Sequence, residues 1–387
     1  MAPKHYQYII TGAGCAGLSL LMRMMQDSFF ADKKILVIDQ SPKTKNDRTW
    51  CFWEKEKGLF ESIVYHKWNN IQFLSKDFST TTSLFPYQYK MIQGIDLYEY
   101  VLLKASTFPS IEFKYEKVTA IDTTDYQARV ELRSGTCTAD YIFNSILFDS
   151  DKSNMLTTKK QYHFLQHFKG WVIQTKEPSF NPDVATFMDF RISQEYGTAF
   201  MYLMPTSETT ALVEYTLFTE TLLAKEAYET ALKNYINNSL AIADYEILHE
   251  EFGIIPMTNQ KFSLQKKRVI NIGIAGGQVK GSTGYTFQFI QKRTATIIDG
   301  LKKGDSHFDN LSFRQRKGSL YDSVLLNVLH HHKMPGDKIF TKIFSNNNID
   351  KILRFLDNDS SIFEDLQIMQ SVPTTIFLPA ALQELLP

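Results

Sequence analysis

The chain has 387 residues, of which 43% are hydrophobic and 22% charged, and its formal net charge is zero. This length is typical of two or three domains, and the balanced charge indicates no broad attraction to nucleic acid. No N-terminal signal pattern and no run of about 18 apolar residues is visible, so we expect neither export nor a membrane-spanning helix. The three cysteines show no metal-ligand spacing and fit a reducing compartment.

The first elements predict a dinucleotide site. Residues 6–10 form an apolar strand pattern, residues 12–17 read Gly-Ala-Gly-Cys-Ala-Gly, and an apolar helix follows. A second strand over residues 34–38 ends at Asp39, 22 residues after Gly17. In such a unit the glycines allow a tight turn, backbone approach to a pyrophosphate and close helix packing, while the acid binds ribose hydroxyls. The predicted cofactor contacts are Gly12, Ala13, Gly14, Ala16, Gly17 and Asp39.

The middle of the chain is predicted to be rich in β-strands. Residues 68–95 indicate short strands, and Asp96 is a candidate N-cap for a helix that ends near Phe108. The predicted strands that follow cover residues 111–121, 128–132, 137–146, 200–204 and 211–218, the first three as a small meander. A helix over about 221–239 and a strand over 268–273 complete this part of the chain.

A second glycine-rich segment spans residues 273–284 and precedes a helix predicted to start near Tyr285. Backbone N–H groups at a helix start can bind an anion, so this segment could lie beneath an electron-rich cofactor ring. A simple turn is the alternative.

Two acids lie inside apolar strand patterns. Glu214 shares a strand face with Leu212, Thr216 and Phe218, and burial there would keep its carboxyl protonated, as a general acid requires. The alternatives are an edge-strand position facing water or an ion pair with an arginine. Asp189 is a similar candidate, but Arg191 is a plausible salt-bridge partner.

Aromatic and histidine-rich tracts complete the candidates. Residues 50–53 read Trp-Cys-Phe-Trp, which could meet a flavin ring or a cationic substrate, or serve the core. The aromatic content of 13% likewise fits either a Phe-rich core or a large apolar cavity. Three consecutive histidines, residues 330–332, point in different directions on a helix and do not indicate a metal site. The last 80 or so residues predict helices, either a packed subdomain or a surface that touches a bilayer.

The motifs together resemble the lycopene cyclases of bacterial carotenoid biosynthesis, of the β-cyclase type. The resemblance runs nearly the full length of the chain. It rests on the first glycine turn and on tracts that read Asp-Arg-Thr-Trp-Cys-Phe-Trp (47–53), Met-Asp-Phe-Arg (188–191), Tyr-Leu-Met-Pro (202–205), Leu-Val-Glu-Tyr-Thr (212–216), Gly-Ile-Ile-Pro-Met (253–257), Ala-Gly-Gly (275–277) and Ser-Thr-Gly-Tyr (282–285).

The resemblance implies a non-covalent FAD that works in its reduced form, with NADPH as the usual reductant. It implies an isomerisation without net redox change, in which the linear ends of lycopene close into β-ionone rings. Glu214 matches the essential acid of the family. Where plant relatives carry two adjacent glutamates, Val213 replaces the first, so Asp189 becomes the second catalytic candidate. Gly281 stands where many relatives have proline.

The resemblance also supplies the remaining site predictions. Further cofactor contacts are expected at Arg48, Gly276, Gly277, Ser282, Thr283 and Gly284. Substrate contacts are expected at Trp50, Trp53, Tyr202 and Tyr285. Because lycopene is insoluble in water, we expect the protein to bind the membrane surface peripherally, on the cytoplasmic side of the inner membrane.

The expected fold is α/β: a Rossmann-like FAD/NAD(P)-binding flavoprotein fold with a β-rich substrate domain and a C-terminal helical region. Residues 1–62, 96–150 and 266–304 are assigned to the FAD-binding domain, 63–95 and 151–265 to the substrate domain, and 305–387 to the helical region. Three other functions stay open on these residues: a flavin-dependent polyprenyl or carotenoid reductase, a flavin monooxygenase and a carotenoid-binding protein.

Overall fold

A computed structural model describes residues 3–148 and 161–385. The predicted domain boundary between residues 150 and 151 lies outside the described residues. In chain order the strands are β1 (Lys4–Thr11), β2 (Ile35–Asp39), β3 (Thr49–Glu54), β4 (His66–Trp68), β5 (Asn70–Leu74), β6 (Ser79–Ser83), β7 (Gln88–Gln93), β8 (Ile111–Tyr115), β9 (Val118–Thr123), β10 (Ala128–Leu132), β11 (Gly135–Asn144), β12 (His163–Thr175), β13 (Val184–Asp189), β14 (Thr198–Pro205), β15 (Thr210–Thr219), β16 (Tyr245–Thr258), β17 (Gln265–Lys266) and β18 (Val269–Asn271). The α-helices are α1 (Cys15–Gln26), α2 (Gly94–Ala105), α3 (Lys225–Asn234), α4 (Phe287–Lys303), α5 (Phe313–His330), α6 (Gly336–Asn346), α7 (Ile349–Leu356), α8 (Ile362–Gln370) and α9 (Thr374–Leu385).

The first sheet carries the dinucleotide unit. Its main path runs β17-β18-β11-β1-β2-β8, and β18, β11, β1, β2 and β8 are parallel. The central strand β2 reads Ile-Leu-Val-Ile-Asp and is buried at every position, because both faces of the sheet are covered there, as in α/β proteins generally. One core cluster joins α1 and α4 to one face, with Ile10, Leu18, Val37 and Ile297 fully buried. Strands β9, β10 and β11 form the antiparallel meander attached to this sheet.

The second sheet has seven strands in the order β16-β12-β15-β14-β13-β5-β6. One face packs with the three-stranded sheet β3-β7-β4 and the C-terminal helices in the cluster that contains Phe73, Phe187 and Phe344. The other face packs on α3 through Val213, Tyr215 and Tyr228. The β15 side chains therefore alternate between two different apolar interiors, which decides where each of its residues can act.

Several predicted elements differ in detail from the observed ones. The prediction that Asp96 caps a helix was wrong: α2 begins at Gly94 after Gln93, and Asp96 lies in the first turn. The predicted meander over 111–146 is split, because β8 and β11 are parallel strands of the main sheet and only β9 to β11 form the meander. The helix expected over 221–239 is an α-helix to Asn234 followed by a π-helical turn. The C-terminal region is helical, as predicted.

Within residues 3–148 and 161–385, no helix is both long enough and apolar enough to cross a bilayer.

Candidate functional site

The first glycine turn connects β1 to α1 and has the geometry of a phosphate cradle. Gly12 has a φ of +96°, a left-handed conformation that favours glycine, and a Cβ at Gly17 would collide with the carbonyl oxygen of Gly12. A Cβ at Gly14 would meet nothing within 4 Å, so open space lies beside the backbone at the start of α1. The first N–H groups of a helix have no partner within the helix, so this space suits a pyrophosphate.

Asp39 closes the turn from the end of β2. Its Oδ2 accepts a hydrogen bond from the Ala13 N–H at 2.8 Å and lies 3.4 Å from Lys43 Nζ. Arg48 is exposed, but its charge acts on the buried Cys15 thiol: burial raises the pKa of Cys15 to about 12, and Arg48 opposes that rise. Asp39 is therefore bound to the turn itself, and the positive charge of Arg48 acts on the first residue of α1.

The second glycine segment meets the first. A Cβ at Gly273 would lie 3.0 Å from the Cβ of Ala16, so the turn after β18 packs directly on the start of α1. Further along, a Cβ at Gly281 would lie 2.7 Å from the Thr258 carbonyl oxygen, and Gly284 contacts Gln166 on β12. This segment therefore runs from the dinucleotide turn to the second sheet.

The prediction that this segment presents free backbone donors at a helix start is only partly correct. The N–H groups of Gly276, Gly277, Thr283 and Gly284 all donate to carbonyl oxygens within local turns, and α4 begins only at Phe287. Ser282 donates its hydroxyl hydrogen bond to Asp322 at 2.6 Å. Among the described residues, the side-chain oxygens without a hydrogen-bond partner include Gln166 Oε1, Gln278 Oε1 and Thr283 Oγ1, all buried here. Buried polar atoms are normally satisfied, so these atoms are fit to contact a bound cofactor.

Glu214 lies in β15 with its side chain 7% exposed. It pairs with Tyr202 on β14 and with Gly170 on β12, and its Oε1 accepts a hydrogen bond from Thr216 at 2.7 Å. The alternatives of an exposed edge position or an arginine partner do not apply, because β15 is an interior strand and its neighbour in space is another acid.

That neighbour is Glu251, which the sequence analysis missed. Gly170 on β12 lies between Glu214 on β15 and Glu251 on β16, paired in register with both. With no side chain at Gly170, the two carboxyl groups meet above it, and a Cβ there would lie 2.9 Å from Glu251 Cγ. Thr49 donates a hydrogen bond to Glu251 Oε2 at 2.9 Å. A glycine inside a strand often marks a place where neighbouring groups approach the backbone closely. Gly170 was therefore the signal in the sequence that could have indicated this contact.

The two carboxyl groups have unequal environments. Burial raises the pKa of Glu214 well above its usual range, and the negative charge of Glu251 raises it further. Burial also raises the pKa of Glu251, but the hydrogen bonds from Thr49 and Glu214 lower it. Two ionised carboxylates in contact repel each other. The arrangement therefore favours a protonated Glu214 whose hydroxyl donates a hydrogen bond to an ionised Glu251.

An aromatic wall lies on the same side of the second sheet. The Trp53 and Tyr285 rings are 4.8 Å apart edge to face, Phe187 lies 6.1 Å from Trp53, and the Tyr202 and Tyr285 hydroxyl oxygens are 3.3 Å apart. Burial raises the pKa of Tyr202 and of Tyr285. Tyr202 pairs directly with Glu214 across β14 and β15, so the two side chains lie side by side on this face. Three of the predicted substrate residues, Trp53, Tyr202 and Tyr285, thus lie together.

Trp50 does not join them. Residues 50 and 53 point to opposite faces of β3, because side chains alternate along a strand. Trp50 packs edge to face on Tyr98 of α2, with ring centroids 6.2 Å apart, on the dinucleotide side. Alternation alone would have separated the two tryptophans at the sequence level.

Asp189 is also separate from Glu214. Its fully buried carboxylate accepts hydrogen bonds from Arg191 Nε at 2.9 Å, from Arg191 Nη2 at 2.7 Å and from the Tyr235 hydroxyl at 2.9 Å. Asp189 pairs with Met201, whose side chain lies on the face opposite to Tyr202. The salt bridge with Arg191 that the sequence allowed is present, and the structure does not bring Asp189 and Glu214 together.

In the parts of the chain that the structure describes, no group of three or more His, Cys, Asp or Glu side chains is arranged to hold a metal ion. His330 lies at the end of α5 and binds Glu220, with 2.7 Å between His330 Nδ1 and Glu220 Oε1.

The parallel sheet, the glycine cradle and the mixed second sheet define a protein with the FAD/NAD(P)-binding flavoprotein fold. Similar solved structures include a geranylgeranyl bacteriochlorophyll reductase-like protein from Thermoplasma acidophilum (TM-score 0.64, 10% identity, 99% of each chain covered). A flavoprotein/dehydrogenase from Cytophaga hutchinsonii is also similar (TM-score 0.65, 10% identity, 98% of this chain and 99% of that one).

Sequence comparison narrows the class to a family. The chain belongs to the lycopene cyclase protein family, whose model matches residues 8–381. A lycopene beta-cyclase from Pantoea ananas is 24% identical over 314 residues, covering 73% of this chain and 71% of that protein. The predicted fold class and the predicted family are thereby confirmed.

The two glycines at the start of α1 should respond differently to the same substitution. In Gly14→Ala the new methyl group enters open space at a φ of −89°, so the protein should fold normally, with FAD affinity about tenfold weaker because phosphate approach is obstructed. In Gly17→Ala the methyl group meets the Gly12 carbonyl, and the fold should lose about 1–3 kcal/mol. Flavin titration and thermal unfolding separate the two effects. Wild-type FAD affinity in Gly14→Ala would contradict a phosphate site at this turn.

Proposed function

We propose that the protein is a lycopene β-cyclase. It closes the linear ends of lycopene into β-ionone rings and yields β-carotene by way of γ-carotene, with no net redox change. The observation that carries this proposal is the buried Glu214 carboxyl, whose surroundings favour its protonated form beside an aromatic wall. Membership of the lycopene cyclase family supports the substrate class.

In this mechanism the Glu214 hydroxyl donates its proton to the terminal trisubstituted double bond of the polyene. The tertiary cation that results is attacked by the next double bond, which forms the six-membered ring. Loss of one ring proton then sets the β-type double bond. The ring faces of Trp53 and Tyr285 can stabilise the cation, and the apolar cluster around them excludes the water that would hydrate it.

The residues present fit FAD as the cofactor of this reaction. Gly12, Gly14 and the start of α1 would hold the pyrophosphate, Asp39 the ribose, and the segment from Gly276 to Gly284 would lie along the ring system. Reduced FAD bound there, with NADPH as external reductant, would supply negative charge to stabilise the developing cation. Thr283 Oγ1 and Gln278 Oε1, both buried and without a hydrogen-bond partner among the described residues, are the polar contacts that this cofactor would satisfy.

The reaction class is tested by incubating the purified protein anaerobically with lycopene in liposomes, FAD and dithionite. We expect cyclic products of the same mass as lycopene. A product heavier by two hydrogens per double bond would instead identify a reductase, and a requirement for oxygen with added oxygen mass would identify a monooxygenase. Lycopene recovered unchanged, with flavin making no difference, would indicate a carotenoid-binding protein.

We propose that the protein takes its apolar substrate from the inner membrane, to whose cytoplasmic face it binds peripherally. Helices α8 and α9 support this, because they expose several apolar side chains, among them Phe363 (70% exposed) and Leu385 (63%). Such exposed apolar surfaces mark interaction sites.

One exposed phenylalanine provides a test of this surface. Phe363→Asp should weaken binding to liposomes by about tenfold, because one large apolar side chain no longer inserts. Tyr126, exposed in the turn between β9 and β10, gives the matched control Tyr126→Asp. Flotation with liposomes measures both, and equal loss in the two variants would rule out α8 as the contact.

A further inference from the structure

We propose that Glu251 is the ionised partner of Glu214, and that the two carboxyl groups share one proton, which leaves to the polyene and returns from the ring. This inference rests on the proposed function. It adds a positioning residue that acts through Glu214.

The sheet register brings the two acids together. They lie on the outer strands of the triplet β15-β12-β16, directly across Gly170, and on the face that carries Tyr202 and the aromatic wall. Leu212 Cδ1 and Glu251 Cγ would each lie 2.9 Å from a Cβ at Gly170, so any larger residue there would push the carboxyl groups apart. The pairing of the acids thus depends on a glycine inside a strand, where glycine is otherwise unfavourable.

The hydrogen bonds distinguish the two acids. Thr49 donates to Glu251 Oε2 at 2.9 Å, which stabilises a carboxylate there. Thr216 donates to Glu214 Oε1, which leaves the second oxygen of Glu214 to carry the shared proton toward Glu251. Glu251 lies on the edge strand and is partly exposed, whereas Glu214 is buried. The pair therefore connects the interior acid to the rim of the sheet.

The other ionisable groups around the pair come from neighbouring strands of the same interior. The charge of Glu214 acts on Cys51 (β3), Tyr89 (β7) and Tyr202 (β14), and Tyr285, before α4, lies beside Tyr202. Burial raises the pKa of each of these four groups, so they stay neutral near pH 7. The electrostatic influence of His249, on β16, lowers the pKa of Glu251. The carboxyl pair is thus the acid/base system of this interior.

The proton count closes within one turnover. Glu214 transfers its proton to the less substituted carbon of the terminal double bond, which leaves the tertiary cation on the other carbon. The C–C bond of the ring then forms from the electron pair of the next double bond. The pair then carries two negative charges beside the cation, which stabilises it. The proton lost from the ring returns to the pair and settles on Glu214, because Thr49 holds Glu251 ionised. Between turnovers this proton exchanges with solvent through Glu251, which is partly exposed on the edge strand. No oxidant or reductant is consumed.

The pH dependence of turnover tests the pair. Glu214 must be protonated to act, so activity falls as pH rises through its pKa. Glu251→Gln removes the neighbouring charge and lowers that pKa. The alkaline limb of the pH profile should therefore move to lower pH by about one unit or more. Turnover at pH 8 should fall by about tenfold or more. Glu251→Asp should recover part of the shift. The control Glu250→Gln, whose side chain pairs with Lys169 on the other face, should behave as wild type.

A readout without substrate separates this inference from the proposed function. Infrared titration of the purified protein should show a protonated carboxyl band that persists above the ordinary range for glutamate. The band should be absent in Glu214→Gln and should be lost at lower pH in Glu251→Gln. Gly170→Ala, which displaces Glu251, should also move the loss of this band to lower pH. This variant replaces Glu251→Gln in the test if Glu251→Gln fails to fold. If lycopene is not converted, the proposed function fails, but the infrared band still shows whether Glu214 and Glu251 share a proton. A band and a pH profile unaffected by Glu251→Gln and Gly170→Ala would overturn the inference.

Discussion

Replacing Glu214 with glutamine should reduce lycopene cyclisation by about 10²–10⁴-fold, the usual contribution of a positioned general acid. Glutamine has the same shape and keeps the oxygen that accepts the hydrogen bond from Thr216, so the variant should fold and bind FAD as wild type does. It cannot deliver a proton to the double bond. The loss should appear in kcat, since the substrate contacts are unchanged.

The measurement is product formation under anaerobic conditions with reduced FAD, alongside flavin titration and thermal unfolding. Glu208, exposed between β14 and β15, supplies the matched control Glu208→Gln. Cyclisation at the control rate in Glu214→Gln would show that another group protonates the polyene.

Asp189→Ala should act mainly on stability, with a loss of about 2–3 kcal/mol. The substitution leaves the buried Tyr235 hydroxyl without its acceptor and frees Arg191, although Arg191 is 47% exposed and can be hydrated. Because Asp189 lies on the face opposite to Glu214, the folded variant should keep the wild-type pH profile of turnover.

Denaturant unfolding of Asp189→Ala can be compared with that of Asp183→Ala, an exposed position before β13. Intact stability combined with lost turnover would contradict a structural role and restore Asp189 as the second acid.

The local parts of the site could be predicted from the sequence. The β1-turn-α1-β2 unit is encoded by neighbouring residues, since glycine spacing, apolar runs and the acid after β2 all lie within one stretch of chain. The inward direction of Glu214 followed from alternation along β15, and its burial among Leu212 and Phe218 agrees with that prediction. The assignments of residues to cofactor and substrate stay predictions.

The non-local parts could not be predicted. Glu251 meets Glu214 through the register of β15, β12 and β16, which depends on the pairing of distant strands. No local pattern specifies that pairing. Asp189 and Trp50 were grouped with Glu214 and Trp53 because they lie in similar tracts, yet each points into a different interior. The backbone N–H groups of the second glycine segment were expected to be free, but several of them donate hydrogen bonds within consecutive turns before α4 begins.

Cyclisation in D2O tests the central claim most directly. The protein is incubated anaerobically with lycopene liposomes and reduced FAD in deuterated buffer, and the products are analysed by chromatography and mass spectrometry. Protonation by an exchangeable acid predicts cyclic products in which each closed ring has gained one deuterium at the protonated carbon and lost one hydrogen. The number of deuterium atoms in the product also shows whether one or both ends of lycopene react. Cyclic product without deuterium, or lycopene reduced across a double bond, would contradict acid-initiated ring closure by this protein.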